Sequence, residues 1–159
     1  MALASHSAVV IGATGLVGRE ILKQLVARPE FERVTAAIRR PLPDDLQNPK
    51  LQTALIDFER LDERPGVFQA SHVFCAMGTT IKQAGSRERF RQVDFGYPVR
   101  VAELARAAGA RHLLLVSSVG ASPASRAFYL RVKGELEEAI LALGFPSITV
   151  VRPSLLLGD

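Results

Sequence analysis

Cysteine is almost absent from this 159-residue chain, with Cys75 standing alone. That excludes an internal disulfide and fits a reducing compartment, read here as the cytoplasm. Histidine is also scarce: His6, His72 and His112 are scattered along the sequence. With one cysteine they offer no metal-ligand spacing, so no metal is expected. No apolar run approaches the length of a membrane span, and no membrane contact is expected. The opening MALASHSAVVIGATG lacks a basic leader and meets glycines after a short apolar run, so it reads as a first strand and not a signal peptide. The net charge is +4, but the basic residues neither cluster nor interleave with aromatics. That pattern argues against nucleic acid and for a basic pocket that takes a phosphorylated small molecule.

Apolar residues make up 48% of the chain and charged residues 23%, enough for one domain, residues 1–159, with a sizeable core. Strand-like and helix-like segments alternate. Short apolar runs stand at 7–12, 33–38, 51–57, 72–78, 111–118 and 147–152. Helical spacing covers 16–28, 99–109 and roughly 125–143, and the prolines of PLPDDLQNPK mark 41–50 as a loop. The strands are continuous apolar runs, as in a parallel sheet covered on both faces, and the alternation predicts a doubly wound α/β fold.

Between the first strand and first helix stands GATGLVG. Gly12 permits a tight turn, Gly15 lets backbone approach a pyrophosphate, and Gly18 lets the helix pack close to the sheet. The helix N-terminus adds free N–H groups and a partial positive charge. The loop Gly12, Ala13, Thr14, Gly15, Leu16, Val17 and Gly18 is therefore read as a dinucleotide cradle. At the end of the second strand, where a carboxylate would meet a free ribose 2′-hydroxyl, Arg39 and Arg40 stand instead. A guanidinium suits a 2′-phosphate, so NADP is expected over NAD, with Arg39 as the main contact.

Ligands in such sheets lie beyond the carboxyl ends of the strands. That edge carries AMGTT and VSSVGAS, whereas His72 and His112 lie at the opposite edge. In FYLRVKG, Tyr129 and Lys133 are four residues apart and share a helix face. With GATGLVG and VSS, that motif resembles the short-chain dehydrogenase/reductase superfamily. MGTTIKQAGS, VDFGY, HLLLVSSVGAS, FYLRVKGELE and VRPSLLLG resemble its atypical, Tat-interactive-protein-like oxidoreductases, over nearly the whole chain.

The resemblance implies a Rossmann-type, three-layer α/β/α domain and an NADP-dependent oxidoreductase acting on a carbonyl or alcohol of a small-molecule substrate. Tyr129 would be the acid or base, Lys133 would lower its pKa and hold the nicotinamide ribose, and Ser118 would bind the substrate oxygen, with Ser117 the alternative. Asp57 and Phe58 match the adenine-flanking position, Ala76, Met77 and Gly78 the backbone beside the cofactor, and Pro153 and Ser154 the segment beside the nicotinamide. A competing partner for Lys133 is Glu137, and Cys75 reads as a small buried residue. Asp94 occupies the place where many relatives carry a relay asparagine. The chain stops at LLLGD, short of the elements that cover the substrate in relatives. Alternative activities are epimerisation or dehydration of a nucleotide sugar, and NADPH sensing without catalysis. The helices before the fifth and sixth strands are candidates for homodimer pairing; their apolar faces could equally serve the core.

Overall fold

A computed structural model describes residues 5–157. Six strands, β1 (His6–Ile11), β2 (Phe31–Ile38), β3 (Leu51–Leu55), β4 (His72–Cys75), β5 (His112–Val116) and β6 (Ser147–Val151), form one sheet. All are parallel, in the order β3-β2-β1-β4-β5-β6. The order reverses between β1 and β4, which opens a crevice at their carboxyl ends. The helices are α1 (Leu16–Ala27), α2 (Ile81–Ala84), α3 (Arg87–Arg91), α4 (Tyr97–Ala107) and α5 (Phe128–Leu141). None of the described helices is long and apolar enough to cross a membrane.

Alternation along the strands divides the core. Val9, Ile11, Val73, Cys75, Leu113 and Leu115 face one side, where Val101 and Ala105 of α4 and Leu136 and Ile140 of α5 cover them. Val10, Val34 and Ala36 face the other, under Leu22 and Leu25 of α1. Cover on this second side is incomplete: Thr149 and Val151 of β6 stay exposed. The expected burial of every strand on both faces therefore fails at the two sheet edges, since β3 also leaves Gln52, Thr53 and Leu55 exposed.

Strand ends also shift. β3 and β4 stop at Leu55 and Cys75, and Phe58 and Ala76–Gly78 beyond them line the crevice. The helix expected at 99–109 starts earlier, at Arg87, capped by the Ser86 hydroxyl. A π-helical turn, Gln92–Gly96, joins α3 to α4, and Pro98 follows in the first turn of α4. The wider turn accommodates a proline that has no N–H for an α-helical ladder.

The three scattered histidines converge at the amino ends of the strands. His72 lies between His112, at 4.4 Å between ring centroids, and His6, at 4.9 Å. Desolvation, then the neighbouring His112 and His6, push the His72 pKa down from 6.5 to about 4. A group whose folded pKa is depressed contributes stability that is complete above its unfolded value. That contribution declines as pH falls from 6.5 towards about 4. Urea unfolding across this window is expected to show the chain weakening towards acid. His72→Gln should show a smaller decline; identical pH profiles would contradict the assignment.

Candidate cofactor and catalytic site

The crevice is a cleft of about 810 Å³. Gly12, Ala13, Thr14 and Gly15 form one wall, Arg39 and Arg40 another, and Phe58, Ala76, Met77 and Gly78 the floor. Gly12 has φ +77°, and a Cβ there would lie 2.4 Å from the Ala76 carbonyl carbon. A Cβ on Gly18 would lie 1.9 Å from the Gly12 oxygen, so α1 packs directly on the turn. Gly15 is different: its Cβ would meet only the Gly12 oxygen, at 3.4 Å. Helix α1 starts at this open glycine with no side-chain cap and no acidic residue in its first turn. Its leading N–H groups are therefore available to an anion, and the cradle fits a diphosphate. Leu16 and Val17 form the first turn outside the cleft lining, and Gly18 is buried beneath it.

Arg39 and Arg40 are exposed at the cleft rim. Phe58 lines the cleft, but the Asp57 carboxylate is turned to a local cap, accepting from Glu59 N at 2.9 Å. Thr79, from the AMGTT edge, lines the cleft as well, and so do Arg89, Val93, Tyr97 and Gln83, which the sequence did not single out. Arg89 Nη1 reaches Glu59 (2.5 Å), Gln92 (2.8 Å) and the Tyr97 hydroxyl (2.9 Å), which joins the walls at the Phe58 end. The signal was present in RERFRQ, but it became readable only once α3 was seen to run into α4.

Tyr129 lies in the first turn of α5, half exposed, its ring 5.5 Å from Phe90. Lys133 Nζ stands 5.7 Å from the Tyr129 ring centroid. It does not pair with Glu137. That carboxylate accepts from Nε and Nη2 of Arg152, at 2.9 and 2.5 Å, and Arg152 holds its pKa below the ordinary range. Lys133 instead pairs with Asp94 Oδ1 at 2.7 Å, with both side chains buried. Asp94 sits on the π-helical turn and also accepts from Thr79 N at 3.0 Å. Burial raises the Asp94 pKa, and Lys133 opposes that rise.

Ser118 follows β5, and its hydroxyl makes only a 3.4 Å contact with the Val119 carbonyl. Ser117 is buried instead, and its hydroxyl oxygen has no hydrogen-bond partner among the described residues. Pro153 accepts from Val119 N at 3.0 Å, so the segment with Ser154 adjoins the Ser118 loop. Cys75 is buried, and desolvation pushes its thiol up to about 12.

The loop after β5 is set on α5 by a second glycine. Ser122 N donates to the Leu130 carbonyl, and a Cβ on Gly134 would lie 2.2 Å from the Ser122 carbonyl carbon. The residue after Lys133 must therefore be glycine for this loop to lie against the helix.

Residues 12–158 match the NAD(P)H-binding family. Over 158 residues the chain is 40% identical to Protein FMP52-1, mitochondrial, of Scheffersomyces stipitis, covering 96% of this chain and 68% of that one. It is 39% identical over 158 residues to Protein HTATIP2 of Rattus norvegicus, covering 98% and 64%. A UDP-glucuronic acid 4-epimerase from Bacillus cereus in complex with NAD shares the fold, with a TM-score of 0.75 at 14% identity, over 93% of this chain and 56% of that one. The chain thus spans about two thirds of the length of these curated relatives and just over half of that enzyme. The expected cytoplasmic location is corrected by these comparisons: FMP52-1 and the FMP52 proteins of other yeasts are mitochondrial by name. One unpaired cysteine reports redox poise and not an address.

Gly134→Ala tests the seating of the Ser118 loop. In a free helix this change would add about 1 kcal/mol of stability. Here overpacking against Ser122 is expected to cost about 1–3 kcal/mol in urea unfolding, and a stabilised variant would contradict the contact.

Proposed function

The chain belongs to the NAD(P)H-binding family, alongside the Tat-interactive-protein-like HTATIP2 and FMP52 proteins of the short-chain dehydrogenase/reductase superfamily, and on that premise we propose that it is an NADP-dependent oxidoreductase acting on a carbonyl or alcohol. One observation carries the choice of cofactor: the cleft that joins the open Gly15 cradle also carries Arg39 and Arg40, with no carboxylate lining it at the end of β2. A paired guanidinium edge binds a 2′-phosphate bidentately, whereas a free ribose diol needs an acceptor.

The cofactor, when bound, supplies the hydride. The chain's own residues do the rest. The N–H groups at the start of α1 bind the diphosphate, and Phe58 walls the adenine end. Met77 and Gly78 form the floor beneath the reacting end. Tyr129 moves the proton at its phenol oxygen, and Ser118 donates a hydrogen bond to the substrate oxygen. Lys133, fixed by Asp94, holds its ammonium one helical turn from Tyr129.

The epimerase likeness favours a second reading, in which the hydride returns to the same sugar and the cofactor is retained. Consumption of NADPH separates the two.

Arg39→Ala is expected to weaken NADP binding about tenfold or more, as loss of a charged bidentate contact does, with NAD binding changed less than about twofold. Thermal unfolding with each cofactor reads this. Equal losses for both would overturn the NADP assignment.

A further inference from the structure

The Lys133–Asp94 ion pair differs from every other among the described residues. In each of the others at least one partner is well exposed; here the side chains are 4% and 0% exposed. The pair lies directly under the cleft floor. A Cβ on Gly78 would stand 3.5 Å from Asp94 Oδ1 and 3.7 Å from Lys133 Nζ. Asp94 is fixed twice more, by the Thr79 N–H and by the π-helical turn that carries it. The carboxylate therefore cancels a cation at the one place where little water screens it.

Nicotinamide carries a full positive charge when oxidised and none when reduced. The geometry points to Asp94 as a positioning residue that sets the relative affinity for the two redox forms, by holding Lys133 in a neutral buried pair beneath Gly78. This rests on the cofactor reading above. With the pair intact the floor has no net charge, so the oxidised form meets no repulsion. Without the carboxylate an unpaired ammonium faces the oxidised ring. Without the ammonium an unpaired carboxylate attracts it. Packing, the diphosphate cradle and Arg39 act on both redox forms alike and cancel in their ratio.

The test is equilibrium binding of NADP+ and NADPH by calorimetry, to the whole chain and two variants, with folding verified by circular dichroism because one partner of a buried pair is being removed. Asp94→Asn, titrated at about pH 6.5 to keep the amine protonated, should bind NADP+ about fivefold more weakly relative to NADPH than the wild type does. Lys133→Met, titrated at about pH 8.5 to ionise the carboxyl, should shift the ratio the opposite way by a similar factor. Local loosening cannot produce opposite signs. If Asp94→Asn fails to fold, Lys133→Met alone decides. A folded variant whose ratio stays within about twofold of the wild type would overturn the inference. Absence of binding of either form to the wild type would instead overturn the cofactor reading.

Discussion

Gly12 brings the exit of β1 against the exit of β4, backbone on backbone. A Cβ there would fall 2.4 Å from the Ala76 carbonyl carbon and 2.5 Å from Met77 N. The rest of the site depends on that approach. It sets Ala76–Gly78 as a floor beside the glycine turn, and the turn in turn seats α1 through Gly18. No side chain fits there, so the constraint is steric and independent of charge or solvent.

The surroundings of Lys133 on α5 are built by a second set of contacts with different physics. Gly134 allows the loop after β5 to lie on α5, and the Arg152–Glu137 pair ties the same helix to the end of β6. Lys133 is fixed from the third direction, by Asp94 on the π-helical turn. Three elements that are remote in sequence thus meet at one helix. Buried ion pairs are poor sources of net stability, since desolvation offsets attraction. Such a pair is better understood here as a device for geometry and local charge.

Much of this was legible in the residues. The alternating apolar runs gave six strands and the parallel topology, and GATGLVG marked one wall of the cleft, whereas Tyr129 and Lys133 of FYLRVKG lie outside its lining. What stayed hidden shares a cause: it depends on pairings between distant segments. Glu137, one turn beyond Lys133, was the natural partner in sequence, but Arg152 approaches from beyond β6 and takes it. The helix expected at 99–109 left out the run from Arg87, and with it Arg89 and the pairing of Asp94 with Lys133. The histidines sit 66 and 40 positions apart and meet only because β1, β4 and β5 are neighbours in the sheet.

The central claim is that the open glycine at the head of α1 receives a dinucleotide diphosphate. Calorimetric titration of Gly15→Asp with NADPH, beside its thermal unfolding, tests this most directly. Gly15 has extended backbone at the N-cap and its Cβ meets only an ordinary contact, so Asp should fit and should cap the helix at least as well as glycine. The same carboxylate would occupy and repel the diphosphate position. The account predicts an unchanged or slightly raised melting temperature together with loss of NADPH binding. A variant that is equally stable and still binds NADPH as the wild type does would contradict it.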